Sequence, residues 1–160
     1  MAPHPSHDHA YRCSLRWEGN LGTGTATYAG YGRQYRIALP GKADLVGSSD
    51  PAFRGDPALP NPEDLLLTAL SSCHMLSYLA LCARRGITVV AYRDEADGTM
   101  ALTPEGGGHF TRVTLRPEVV VLGQEKVALA VELHHQAHAQ CFIAASCNFP
   151  VEHVPVVTAE

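Results

Sequence analysis

Five cysteines, Cys13, Cys73, Cys82, Cys141 and Cys147, are the strongest nucleophiles in this 160-residue chain. Cys73 stands out because it lies in the middle of the stretch Asn61 to Gly86, which carries almost no charge between Asp64 and Arg84. A thiol buried among apolar side chains has a raised pKa and is inert, unless a nearby cation stabilises its thiolate. Arg54, in the loop leading into that stretch, is the candidate cation. Glu63 could orient it through a bidentate carboxylate–guanidinium pair. On a helix, ten residues separate Glu63 from Cys73, nearly three turns, so Arg54 reaches the thiol only if its loop folds back. Turnover through a disulfide requires a second thiol. Cys82 is excluded, because nine residues put it on the opposite helix face and about 13 Å along the axis. Cys141 or Cys147 must supply it from a second helical region.

Two other chemistries compete. His134 and His138 are four apart and His135 and His138 three apart, so each pair shares a helix face. With Cys141, and with His74 or Cys73 from a facing helix, they could hold zinc or copper. HxxxH alone is a weak signal, and partly exposed polar histidines near a helix end are the plainer explanation. His4, His7 and His9 stand among Pro and Ser in an N-terminal tail (residues 1–9) expected to be flexible, with few other ligands nearby. The third possibility is a non-catalytic module binding a small molecule or lipid in a pocket between the two helices.

The elements that must position these groups follow from pattern. Asn61 suits a helix N-cap and Pro62 the first helical position. Glu63 and Asp64 complement the positive end of the helix dipole, Arg84 and Arg85 the negative end. Gly86 can take the left-handed conformation that stops a helix. A helix over about 62–85, apolar around most of its circumference, is therefore expected to be buried nearly all round. A second helical region spans about 124–146, with Val127, Leu129, Ala130, Leu133 and Ala137 as its apolar stripe and a break near Ala139 to Phe142. Strands are expected at Ala10–Trp17, Gly24–Tyr28, Gln34–Leu39, Ile87–Ala96, Thr99–Thr103, Phe110–Leu122 and Phe149–Val157, with turns at Asp97–Gly98 and Pro104–His109. Pro117 suggests an edge or a bulge. Pro40 to Pro60 is a long irregular segment of the kind that is functional or disordered. The sum is an α+β domain over residues 10–160, two helices against antiparallel sheet.

A net charge of −4 without a long basic run argues against nucleic acid or an anionic membrane surface as partner. The N-terminus lacks the apolar core of a signal peptide, and no apolar run is expected to approach membrane-spanning length. An odd number of cysteines without CxxC points to reduced thiols and a cytoplasmic location.

NPEDLLLTALSSCHM, with Glu63 ten positions before Cys73, resembles the NPE(E/Q)L…C signature of the OsmC/Ohr family (osmotically inducible protein C and organic hydroperoxide resistance protein). Ala137, His138 and Cys141, on a helix before a final strand, resemble the place of that family's second cysteine. The resemblance covers about residues 10 to 157. It implies an OsmC-like fold, an intertwined homodimer with sites at the subunit interface, and a thiol-dependent peroxidase acting on alkyl or lipid hydroperoxides in oxidative stress defence. Cys73 would then be the peroxidatic thiol and Cys141 the resolving one. Arg54 and Glu63 match the family's catalytic arginine and glutamate. Leu70, Leu76 and His74 would flank the substrate. A dithiol of lipoyl type would be the reductant, and no cofactor or metal is called for. The sequence departs from the family pattern in three places. Phe142 follows Cys141 where Pro is usual, His74 follows Cys73 where Phe is common, and Cys147 is an alternative resolving thiol. These departures resemble a less characterised OsmC-like branch.

Overall fold

A computed structural model describes residues 8–160. His4 and His7 of the tail lie outside the described residues. The chain divides into two compact units, up to Leu65 and from Leu66 onward, the boundary falling in the first turns of the long helix.

The first unit is a three-stranded antiparallel sheet, β1 (Ser14–Trp17), β2 (Tyr35–Ala38) and β3 (Leu45–Gly47), in the order β1-β2-β3. Gly24–Tyr28 is a turn, not the expected strand. Asn20 Oδ1 accepts hydrogen bonds from the amides of Gly22 and Gly24, and both glycines take positive φ, so the backbone is bent where a strand would run straight. The 40–60 segment is not wholly irregular. It contains β3 and a single helical turn at Pro51–Phe53. Its amides are paired internally: Ala52 N–H donates to Asp50 Oδ1, Gly55 N–H to the Asp50 carbonyl, and Asp56 N–H to Ser48 Oγ.

The long helix α1 (Pro62–Arg84) begins with a reciprocal cap. Asp64 N–H donates to Asn61 Oδ1 at 2.8 Å and Asn61 N–H to Asp64 Oδ2 at 3.0 Å. It ends at Gly86, φ 67°, with Ile87 N–H bonded back to the Cys82 carbonyl, the glycine stop expected from the sequence. By length and apolarity α1 would suffice to cross a membrane, contrary to the expectation that no run does. Here it is a packed helix of the second unit. Nor is it buried all round. Only one stripe is enclosed, Leu70, His74, Tyr78, Leu81 and Cys82, at three-, four- and one-residue steps, while Leu76 is 63% exposed.

The remaining strands form two three-stranded sheets. β4 (Val89–Asp94) and β5 (Asp97–Leu102) pair antiparallel with β7 (Pro117–Val121) and β6 (Gly108–Leu115) respectively. Asp97 and Gly98 are thus strand residues rather than a turn, and the expected single strand at 110–122 is broken at Arg116. Pro117 opens β7, which is the central strand in the order β4-β7-β9, not an edge. The first position of the strand tolerates its missing N–H. β8 (Val151–His153) and β9 (Val156–Ala159), separated by Pro155, replace the single strand expected at 149–157, and each lies at the edge of its sheet. They pair parallel to β6 and β7 respectively, so each of the two sheets is mixed rather than antiparallel. The second helical region breaks where its pattern does. A turn at Gln124–Lys126 leads into α2 (Val127–Ala139), and a four-residue α3 (Phe142–Ala145) follows. The core has two parts along α1. Tyr78, Leu81 and Cys82 pack with Val119, Val121 and Leu133, and Leu70 packs with Val113 and Leu115.

Candidate functional site

The α2–α3 break creates the site's second thiol position. Gln140 ends α2 at φ −98°, ψ 0°, Cys141 is extended, and the chain re-enters a helix one residue later. Cys141 is therefore the N-cap of α3, and its Sγ accepts a hydrogen bond from the Ala144 amide at 3.4 Å. It is 1% exposed. Burial pushes its thiol up to about 11; the Ala144 hydrogen bond pulls it down, and the adjoining Cys73 side chain raises it further. At neutral pH Cys141 is a neutral thiol beside Cys73. Both are free, and Cys73 keeps partial solvent access from the flank of α1. Cys147, half-buried, donates to the Ile143 carbonyl at 3.3 Å, and burial raises its thiol. Cys82 is fully buried on the core stripe, with its thiol raised by burial, as its helical phase anticipated.

Arg54 occupies the tip of the 48–61 loop with φ 66°, the sole non-glycine residue with positive φ among the described residues. A left-handed backbone costs an arginine on the order of 1 kcal/mol, which the loop's internal hydrogen bonds sustain. Its side chain is exposed. Among the described residues it makes no ion pair, so the expected Glu63–Arg54 pair is not formed. The loop's bonds run through its own Asp50, Ser49 and Ser48, leaving the guanidinium to solvent. Glu63 is half-buried in the first turn of α1, about 15 Å along the axis from Cys73. Of the expected substrate-flanking residues, Leu70 is wholly enclosed in the core, Leu76 is open to solvent, and His74 is buried.

His74 belongs to a histidine ladder that sequence reading only partly foresaw. Its Nε2 lies 3.0 Å from His134 Nδ1, and His134 stacks on Tyr78 with ring centres 3.8 Å apart. His153 Nε2 lies 3.1 Å from His135 Nδ1 and its ring stacks on His138. His153, on β8, was missed; nothing in its local sequence distinguishes it from an ordinary strand histidine. Burial pushes His74 down to about 4 and His134 down to about 3, with neighbouring histidines adding to both shifts. Both are neutral at physiological pH. Among the described residues no three His, Cys, Asp or Glu side chains are placed to hold a metal ion, so the constellation of His134, His135, His138 and Cys141 does not form a metal centre. These groups pair and stack with one another instead.

A cavity of about 320 Å³ opens between α1 and β4, lined by Thr68, Ser71, Met75, Tyr92 and Asp94 among others. Ser71 Oγ donates to Asp94 Oδ2 across it at 2.6 Å. It lies on a different face of α1 from Cys73.

Residues 55–154 match the sequence profile of the OsmC-like proteins. An OsmC-like protein of unknown function from Vibrio cholerae is 30% identical, with a TM-score of 0.82 over 93% of this chain and 100% of that one. An uncharacterised protein of Bacillus subtilis, YmaD, is 26% identical over 148 residues, 91% of each chain. An organic hydroperoxide resistance protein from Elizabethkingia anophelis shares the fold, with 14% identity and a TM-score of 0.68 over 97% of this chain and 99% of that one.

Proposed function

Because the chain belongs to the OsmC-like family, we propose that it reduces organic hydroperoxides through a two-cysteine cycle. The observation that carries this is the apposition of two free thiols, Cys73 partly open to solvent and Cys141 buried and neutral. In the cycle, the Cys73 thiolate attacks the distal oxygen of ROOH. The O–O bond breaks, the alkoxide takes a proton and leaves as the alcohol, and Cys73 becomes a sulfenic acid. Cys141, arriving as a thiol, condenses with that sulfenic acid, forming the 73–141 disulfide and releasing water. A dithiol, for which lipoyl compounds are the candidate class, returns both sulfurs to thiols by exchange. Arg54 and Glu63 enter this cycle only by their correspondence to the family's catalytic arginine and glutamate, since they form no ion pair with each other here. Of Leu70, His74 and Leu76, only Leu76 is open to meet an alkyl group, and its apolar side chain favours alkyl or lipid hydroperoxides over hydrogen peroxide. The working unit is a homodimer in the cytoplasm, and the role is defence against oxidative stress.

The test is stoichiometric. Reduced protein is mixed with one equivalent of cumene hydroperoxide, free thiols are counted, and disulfides are mapped by mass spectrometry. Loss of two thiols per chain with a 73–141 link is expected, and none in Cys73→Ser. Unchanged thiols with persisting hydroperoxide would overturn the proposal, and a 73–147 link would move the resolving role to Cys147.

A further inference from the structure

His153, on β8, touches both of the segments that carry the proposed thiols. Its ring centre lies 5.6 Å from that of His74, the residue after Cys73 on α1. It stacks on His138 of α2 with ring centres 5.2 Å apart, and its Nε2 lies 3.1 Å from His135 Nδ1. His138 in turn holds the backbone of the second thiol, because its carbonyl accepts the Cys141 N–H at 3.2 Å. The chain from His138 to His153 therefore closes on itself, with Cys141 and Cys147 inside the loop. At its far end the backbone anchor is β8, an edge strand joined to β6 over three residue pairs. The histidine contacts join the two ends of the loop at that same point.

We infer that His153 is a positioning residue, which with His135 and His138 forms a clasp that closes the 139–152 segment and holds Cys141 at Cys73. This inference rests on the proposed 73–141 pairing. Fixing both ends of the segment reduces the space Cys141 can explore, and so raises the effective concentration of one thiol at the other. The clasp holds only while it is uncharged. In the His135–His153 hydrogen bond one ring nitrogen donates and the other accepts, so a proton on the acceptor sets two N–H groups against each other. The groups that face His153 are His74 from α1 and His135 and His138 from α2, with His134 paired to His74. All are imidazoles. Glu152, the neighbour on β8, points to the opposite face of the strand. Among the described residues none of these groups makes an ion pair, so no carboxylate offsets the charge. Burial first, and then His138 and His135, accordingly hold His153 below the usual histidine value. Coupling between two equilibria is reciprocal. If the clasp favours the disulfide, the disulfide must favour the clasp, and His153 must be harder to protonate in the oxidised protein than in the reduced one.

The experiment compares the two redox forms of the whole protein carrying Cys147→Ser, which removes the alternative partner. One sample is reduced. The other is oxidised with diamide, which takes two electrons and two protons from paired thiols whatever the protein does with hydroperoxides, and peptide mapping checks the link. The His153 imidazole, assigned with His153→Gln, is titrated by NMR in both forms. The expected result is a His153 titration lower in the disulfide form by at least about 0.5 pH unit, a coupling of about threefold. Equal titrations in the two forms overturn the inference. A second readout is the equilibrium of the 73–141 disulfide with glutathione at pH 7. His153→Ala should lower the disulfide constant at least about threefold, and His153→Gln, whose amide can replace the ring nitrogen in a neutral hydrogen bond, should recover most of it. An alanine variant equal to the parent, or a glutamine variant no better than alanine, also overturns it. Failure of diamide to link 73 to 141 removes the pairing and the clasp together, whereas a link with an unshifted His153 removes the clasp alone.

Discussion

Acid should unfold this protein through two buried histidines. His74 and His134 are 1% and 0% exposed and share a hydrogen bond of 3.0 Å between ring nitrogens. One ring donates and the other accepts, which requires the acceptor to be neutral. A first proton would place a charge among Tyr78, Leu133 and the helix backbones. A second would set two N–H groups against each other. Accordingly the folded values are about 4 for His74 and about 3 for His134, against 6.5 for an ordinary histidine. Because the folded pKa is depressed, the unfolded chain binds more protons between pH 6.5 and 4. Stability is therefore full above pH 6.5 and falls as the solution is acidified, at about 1.4 kcal/mol per pH unit for each histidine. His74 alone would cost about 3 kcal/mol by pH 4, a large fraction of the 5–15 kcal/mol typical of a domain. The assay is urea unfolding at pH 7, 6, 5 and 4.5, on the wild type and on His134→Gln. The quantity compared is the slope of stability against pH, which survives whatever the substitution does to stability itself. Between pH 6 and 4.5 the variant's slope should be shallower by about 1.4 kcal/mol per pH unit. Equal slopes, or a His74 imidazole titrating near 6.5 in an NMR experiment on the folded protein, would refute the reasoning.

Three further outcomes are expected. Asn61→Ala removes one half of the cap on α1 and should lower stability by about 1 kcal/mol in urea unfolding, whereas Asn61→Ser should recover most of it. Gly55→Ala would put a Cβ 1.5 Å from the Ser49 carbonyl oxygen, so the Arg54 loop must open; faster proteolysis within residues 48–58 should report this. Cys141→Ser should consume one equivalent of hydroperoxide and then stop, leaving Cys73 as a sulfenic acid that dimedone traps; sustained turnover with a dithiol would argue against Cys141 as partner.

Both ends of α1 were legible because they are set locally. Asn61, Pro62, Asp64 and Gly86 act on backbone groups within a few residues of themselves, so their types and spacing determine the cap and the stop. The break in the second helical region was legible for a similar reason, since the apolar stripe loses its period near Ala139. Cys73 was singled out by the NPE motif ten residues before it, which resembles the family signature, and not by its leucine surroundings, which fit an inert buried thiol equally well. What the sequence could not contain was which groups meet. Whether α1 is enclosed on one stripe or all round depends on which strands reach it, and the leucines on every face do not distinguish the cases. The parallel seating of β8 on β6 and of β9 on β7 turns on a long-range pairing with no local signal. It brings His153 to His135 and His138, residues separated by α3 and a loop. Likewise His134, which by its spacing to His138 was weighed as a metal ligand against a plainer exposed histidine, points instead at His74 and Tyr78, because helix packing rather than helical periodicity decides what a side chain faces. The neutrality of Cys141 was equally beyond the sequence, since a thiol's pKa is set by the burial and neighbours that tertiary structure alone supplies.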